Sequence, residues 1–333
     1  MKSIFLCENA PSVERVYAPE TVARLVTEAG LRQKVFRKED VLARPGDFQD
    51  TRYIFSTWGM PALTEEEIKV VFPKLECLFY AAGSVQTFAR PFLACGVRIF
   101  SAWVANAVPV AEYTLSQILL ANKGFFATAR LMSRGNVAES HQVRTMYPGN
   151  FGASVGLIGV GQVARAVIRL LKSYHLNIKV YDPYLSAGDA ETMVVTPCSL
   201  EELFATCQVV SNHVANNPST VGMIRREHFE TMLPYATFLN TGRGAQVVET
   251  DLVEVLRQRE DLTAVLDVTW PEPPVEGHPF YLLPNCVLTP HIAGSSGDEV
   301  HRMAEFMAGE FSRFAAGETC RYEVTEKMLE TMA

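Results

Sequence analysis

Three ionisable residues in the second half of the chain stand in settings that ordinary surface charges lack. Arg243 lies in Asn240-Thr241-Gly242-Arg243-Gly244, where a glycine on either side leaves its guanidinium free to reach into a cleft. Its planar fork of donors suits a carboxylate. Glu272 is held between prolines in Trp270-Pro271-Glu272-Pro273-Pro274, an unusual presentation for a merely solvated side chain. His291 comes just after the apolar run ending in Leu288-Thr289-Pro290, and Asp267 closes another run, Thr263-Ala264-Val265-Leu266. A carboxylate beside an imidazole orients the ring and favours its protonated form, the arrangement of a general acid or base. Singly, the three also read as a loop charge, a solvated turn residue and a satisfied interior histidine.

A second chemistry is written in Val155-Gly156-Leu157-Ile158-Gly159-Val160-Gly161-Gln162-Val163-Ala164, a GxGxxA between an apolar run and a helix-period segment. Gly159 permits a tight turn, Gly161 lets the backbone approach a pyrophosphate, and the small Ala164 lets helix and strand pack closely. Free N–H groups at the helix start would face the phosphates. Asp182 ends the next strand, where a carboxylate accepts both ribose hydroxyls and repels a 2′-phosphate. The combination favours NAD(H) over NADP(H). Its alternatives are a flexible turn in an unrelated α/β protein and, for Asp182, a turn residue before Pro183.

The elements that must position these residues alternate. From Ser3 to Phe100, short apolar runs (Ile4–Leu6, Val35-Phe36, Tyr53–Phe55, Leu78–Tyr80, Val97–Phe100) are separated by helix-period segments such as Ala18–Ala29 and Thr64–Phe72, a βαβ rhythm that implies a parallel sheet. Thr64 stands three residues before Glu67, the reciprocal cap of a helix start. Pro109 suits a first helical turn, and an apolar helix is expected from there to about Leu131. A second series follows, with strands at Ala153–Ile158, Ile178–Tyr181, Val209–Asn212, Thr237–Asn240, Thr263–Leu266 and Val287–Thr289. In open α/β sheets ligands bind beyond the carboxyl ends of strands, where the segments carrying Arg243, Glu272 and His291 would converge. Asp298–Ala315 has helical periodicity and suits either series.

The 333 residues suggest two domains, and 48% hydrophobic against 20% charged residues marks a globular chain with ample core material. Thirty Lys and Arg against 37 Asp and Glu leave a net charge of −7 without any basic cluster, which argues against nucleic acid as partner. Seven scattered cysteines, without CxxC or other tight spacing, read as reduced and mostly buried, and no metal site is expected. The apolar stretch near the N-terminus is too short for a signal-peptide core, and no run of about 18 apolar residues occurs, so a soluble cytoplasmic protein without membrane contact is expected.

Taken together, Val110-Ala111-Glu112-Tyr113-Thr114-Leu115, the Gly159/Gly161/Ala164 turn, Tyr181-Asp182-Pro183, Asn240–Gly244, Asp267-Val268 with Pro271-Glu272-Pro273, and Thr289–Gly294 resemble the D-isomer-specific 2-hydroxyacid dehydrogenases over nearly the whole chain. The similarity is to short members of the phosphoglycerate dehydrogenase-like and glyoxylate/hydroxypyruvate reductase-like kinds. It implies an α/β fold of two Rossmann-like parallel-sheet domains, an NAD-binding domain at 102–296 inserted into a flavodoxin-like substrate domain at 1–101 and 297–333. It implies an Arg243, Glu272, His291 catalytic set for hydride exchange between a D-2-hydroxy acid and its 2-oxo acid. It assigns Gly159, Gly161, Gln162, Val163, Asp182, Thr241, Asp267 and Gly294 to NAD, with Asp267 meeting the nicotinamide amide. Ala82-Gly83-Ser84 would offer N–H groups to the substrate carboxylate, and the Pro109–Leu131 helix would pack in a homodimer.

The chain also departs from the family. Members that act on phosphorylated substrates tend to have an Arg near Ser56–Pro61; here Trp58 and Met60 stand there, expected to form an apolar wall suited to an unphosphorylated acid. His213-Val214-Ala215 lacks the usual proline of an HxP segment. The presence of Glu272, where formate dehydrogenases carry Gln, disfavours formate. A cofactor-sensing corepressor of the C-terminal-binding kind shares fold and triplet and is the rival reading; a non-catalytic NAD-binding protein leaves the triplet unexplained.

Overall fold

In the computed structural model, which describes residues 2–330, the apolar runs become strands: β1 (Ser3–Leu6), β2 (Leu31–Phe36), β3 (Tyr53–Ser56), β4 (Cys77–Tyr80), β5 (Arg98–Ser101), β6 (Phe151–Ile158), β7 (His175–Tyr181), β8 (Thr196–Pro197), β9 (Val209–Asn212), β10 (Thr237–Asn240), β11 (Thr263–Leu266), β12 (Cys286–Leu288) and β13 (Glu323–Val324). Runs without polar alternation, such as β3 and β4, are buried along their whole length, as strands of a sheet covered on both faces must be. The chain divides into two compact units, Met1–Asn106 with Ser295–Ala333, and Ala107–Gly294. Ala102 and Ala105, just past β5, join the core of the first unit. The division therefore falls slightly beyond Ser101. Among the described residues no helix is long and apolar enough to cross a membrane.

The first unit holds a six-stranded sheet in the order β13-β5-β4-β3-β1-β2. Its pairs are parallel except at the edge, where Glu323 and Val324 run antiparallel to Phe100 and Ile99. The purely parallel expectation missed this strand because two residues carry no periodicity; an ion pair between Arg98 and Glu323 at 2.6 Å accompanies the pairing. The helix whose place the sequence left open, His301–Ala315, belongs to this unit. Met303, Met307 and Phe311 form one stripe on it and pack against Phe55, Phe79 and Phe100, whose rings stack at centroid distances of 5.1 and 5.0 Å.

The second unit holds a seven-stranded parallel sheet in the order β12-β11-β10-β9-β6-β7-β8. From β6 the chain moves outward through β7 and β8, then returns to the other side of β6 at β9. That reversal opens a crevice at the carboxyl ends of β6 and β9. The single apolar helix expected over Pro109–Leu131 is instead two. One runs over Trp103–Asn122 with Pro109 inside it, the other over Phe125–Ser133. Between them Gly124 adopts φ +70°, and a Cβ there would lie 2.3 Å from the Tyr147 ring. Left-handed turn and ring together stop the first helix.

Candidate active site

Strands β11 and β12 pair through Leu266 and Leu288, so the residues just past their ends, Asp267 and Thr289, meet. Thr289 Oγ1 donates to Asp267 Oδ1 at 2.6 Å. Two backbone groups add to this: Ile292 N–H donates to Oδ1 at 2.8 Å and Ala293 N–H to Oδ2 at 2.9 Å. Asp267 is 2% exposed. Its carboxylate staples the segment 289–293 from both sides of His291, whose own N–H donates to the carbonyls of Thr289 and Asp267. His291 has φ +54°, a left-handed conformation that costs a residue with a Cβ about 1–3 kcal/mol and persists only where its surroundings over-determine it. The resemblance gives Asp267 to the cofactor amide; here the carboxylate anchors the histidine loop and keeps one unused acceptor position, on Oδ2.

The His291 ring reaches Glu272, with Nδ1 2.6 Å from Oε1 and both side chains partly exposed. Nε2 remains for a ligand. Glu272 is presented by a loop whose Trp270–Pro271 and Glu272–Pro273 bonds are cis. That loop is tied down where Trp270 N–H donates to Glu249 Oε1 at 2.7 Å. Burial pushes the Glu249 carboxyl up to about 7, against the opposing Trp270 N–H. His278 Nε2 stands 3.6 Å from its other oxygen, with its own pKa lowered by burial.

Arg243 sits past β10 on a loop fixed by buried amides. Asn212 Nδ2 donates to Asn240 Oδ1 (3.0 Å) and Gln246 Oε1 (2.6 Å). Gly242 N–H donates to Asn240 Oδ1 and Arg243 N–H to Gln246 Oε1. Sequence reasoning missed Asn212 and Gln246; the signal available for Asn212 was an amide closing the strand Val209-Val210-Ser211-Asn212. The two glycines also have another role than freeing the guanidinium. A Cβ on Gly244 would lie 2.0 Å from the Thr269 carbonyl carbon, and one on Gly242 2.9 Å from Gln246 Oε1. Gly244 lets the arginine loop close on the segment that carries Glu272, and Gly242 lets it close on Gln246 and Asn212. The guanidinium donates to Gly242 O at 2.7 Å. Burial lowers its pKa, and the nearby Glu272 carboxylate counteracts this.

The glycine turn lies at the sheet's switch point. Gly159 has φ +83°, and a Cβ there would press on the Val214 backbone at 2.9 Å. No side chain caps the helix Gln162–Leu171 that follows Gly161, and a Cβ on Gly161 would meet nothing within 4 Å. Gln162 is exposed, Val163 partly so, and Ala164 is buried against the strand. Asp182 accepts from Val160 N–H at 2.7 Å and Tyr184 N–H at 2.8 Å, one bond per oxygen, which leaves acceptor capacity for a diol. An open, uncapped helix start with a carboxylate beside it fits a dinucleotide. Thr241 Oγ1 stands 3.4 Å from Thr114 Oγ1 and 3.5 Å from His213 Nδ1. His213, without the usual proline, instead bonds Ser211 Oγ at 2.9 Å, and burial pushes its pKa down to about 3, so the ring is neutral. Gly294 closes this unit.

Ala82, Gly83 and Ser84 lie in the first unit, past β4. Ser101 Oγ donates to the carbonyls of Ala82 and Gly83 at 2.9 and 2.6 Å. This fixes the two carbonyls toward the buried Ser101 hydroxyl. Of the two residues expected to form an apolar wall, Trp58 is exposed, whereas Met60 is buried among Ile54, Leu63 and Ile68, because Gly59, at φ +100°, turns the chain back into the core. Arg52 pairs with Glu76 at 2.6 and 2.8 Å.

Comparison with known proteins places the chain in a family. The D-isomer specific 2-hydroxyacid dehydrogenase NAD binding domain matches residues 115–293. The chain is 29% identical to D-3-phosphoglycerate dehydrogenase of Archaeoglobus fulgidus, over 71% of this chain and 44% of that one. It is 27% identical to the Mycobacterium tuberculosis H37Rv protein of the same name, over 90% and 56%. It thus spans about half the length of the curated relatives it matches. A phosphoglycerate oxidoreductase structure from Rhizobium etli shares the fold, with a TM-score of 0.81 at 19% identity over 98% of this chain and 99% of that one. With its NAD-binding region matched across more than half its length, the chain belongs to the D-isomer specific 2-hydroxyacid dehydrogenase family.

Proposed function

We propose that the protein interconverts a D-2-hydroxy acid and its 2-oxo acid with NAD(H). The observation that carries this reading is the His291–Glu272 pair at 2.6 Å, presented beside Arg243 at the carboxyl edge of the parallel sheet. NADH, when bound along the Gly159–Gly161 turn, supplies hydride to the C2 carbonyl. Arg243 holds the substrate carboxylate and polarises that carbonyl through charge-assisted hydrogen bonds. His291 gives the proton on Nε2 to the oxygen that gains negative charge, and Glu272, 2.6 Å from Nδ1, holds the ring in orientation. In the oxidative direction His291 takes the proton back. Gly159, Gly161, Gln162 and Val163 would hold the pyrophosphate, Asp182 the ribose diol, and Thr241, Asp267 and Gly294 the nicotinamide end. Gly83 and Ser84 would add N–H donors to the carboxylate.

The segment Ser56–Pro61 contains no cation and Arg52 is engaged by Glu76, which supports an unphosphorylated substrate, since a dianion would lose hydration without a charge-assisted partner. Exposed Leu120, Phe125 and Met132 support a homodimer through the 103–133 helices. Free thiols at all seven cysteines fit a reducing, cytoplasmic compartment. The test is a panel of 2-oxo acids scored by NADH and NADPH oxidation. Turnover is expected with NADH and an unphosphorylated acid; no turnover across the panel overturns the reading, and a much higher kcat/KM with 3-phosphohydroxypyruvate overturns its substrate class.

A further inference from the structure

The helix motif Val110–Leu115 has no role in the mechanism above, yet one of its side chains touches the histidine loop. Tyr113 Oη stands 3.2 Å from Thr289 Oγ1, and Thr289 Oγ1 stands 2.6 Å from Asp267 Oδ1. Chemistry sets the direction of both bonds. A carboxylate only accepts, so the Thr289 hydroxyl donates to Asp267, and its oxygen then accepts from the Tyr113 phenol. Asp267 passes the constraint to the N–H groups of Ile292 and Ala293. Between these anchors sits His291 in its left-handed conformation. Burial and the Asp267 charge raise the Tyr113 pKa, which keeps the phenol a donor.

We propose that Tyr113 and Thr289 are positioning residues that act through Asp267: the Tyr113–Thr289–Asp267 line ties the His291 loop to the Trp103–Asn122 helix and sets where the imidazole meets the substrate oxygen. This rests on the role given to His291 under the proposed function. The line touches neither Arg243 nor the glycine turn. Weakening it changes proton transfer more than carboxylate or dinucleotide binding, because Asp267, although assigned to the nicotinamide end, stays held by the Ile292 and Ala293 N–H groups and the pyrophosphate and ribose contacts lie elsewhere. A displacement of about 1 Å at a reacting group costs up to about a hundredfold in rate.

The test compares Tyr113→Phe, Thr289→Val and Thr289→Ser in the full chain. Thr289→Val is expected to lower kcat about 10- to 100-fold, and Tyr113→Phe about 3- to 10-fold, with the 2-oxo acid KM and the NADH Kd changed less than about threefold. Thr289→Ser, which keeps the hydroxyl, should return kcat to within about twofold of the parent. Equal losses in Thr289→Ser and Thr289→Val, or KM moving in step with kcat, overturn the proposal. Imidazole NMR spectra of the same proteins, with the His291 signals identified by their loss in His291→Gln, give a readout independent of turnover. His291 ring shifts that move in Tyr113→Phe and Thr289→Val while the other histidines stay support the proposal even if no 2-oxo acid is turned over, which would sink only the proposed function. Unchanged His291 shifts in both variants overturn it.

Discussion

The Arg243 loop and the His291 loop leave strands of one sheet, but different chemistry holds them. Around Arg243 the fixing groups are neutral: Asn212, Asn240 and Gln246, each no more than 1% exposed, bond to one another and to the backbone N–H groups of Gly242 and Arg243. Around His291 the fixing groups include charges, with Asp267 stapling the backbone, Glu272 holding the ring and Glu249 anchoring the loop behind Glu272. Amide networks do not titrate. The contrast teaches that the end proposed to bind the carboxylate is fixed by groups that do not ionise, while the end proposed to transfer the proton is fixed in part by groups that can, Glu249 among them.

The strongest attempt to break this division of labour is His291→Ala. It should lower kcat by about 10²–10⁴-fold, the range for a general acid–base group, while the fluorescence-titrated Kd for NADH stays near the parent value. A large loss of NADH affinity would move His291 from the proton to the cofactor. Next in size is the pH response of stability at Glu249, whose carboxyl is raised from 4.5 to about 7 in the folded protein. The folded state therefore binds a proton more readily than the unfolded one. That stabilisation is full below about pH 4.5 and lost as pH rises through about 7. Glu249→Gln keeps an acceptor for Trp270 N–H and cannot ionise, so it should gain stability over the parent between pH 5 and 8 by up to about 3 kcal/mol. Thermal unfolding at both pH values checks this, and parallel pH curves for the two proteins would refute it. Smallest is Gln246→Leu, which deprives Arg243 N–H and Asn212 of an acceptor. Loss of one such bond costs about 1–3 kcal/mol, so the 2-oxo acid KM should rise about tenfold by the same ratio at pH 6 and pH 9. A ratio that changes with pH would show that this end is not neutral.

Much of this molecule follows from local sequence. The βαβ rhythm predicts the parallel pairs of both sheets, though not the antiparallel edge strand β13, because buried strands read as continuous apolar runs wherever helices cover both faces. The Gly159–Ala164 turn lies between strand and helix as its residues require, since the sharp turn and the start of the helix are local demands, although Gly159 also makes room for the distant Val214 backbone. Thr64 and Glu67 cap their helix reciprocally, for the same local reason. Arg243, Glu272 and His291 were legible as candidates through their glycine and proline settings and through the family resemblance, each of which is a property of a short segment.

What the sequence could not determine is set by contacts between distant positions. The apolar helix breaks at Gly124 because the Tyr147 ring closes over it, and Met60 leaves the substrate wall because Gly59 turns it into the core. The stripe of the His301–Ala315 helix suited either unit until packing against Phe55, Phe79 and Phe100 decided it. Likewise, the Val110–Leu115 motif gives Tyr113 no role of its own, and nothing near Gln246 in the chain marks it. Their partners, Thr289 and Asn212, become neighbours only when the strands align in register, because hydrogen bonds act over about 3 Å of space whatever the separation along the sequence.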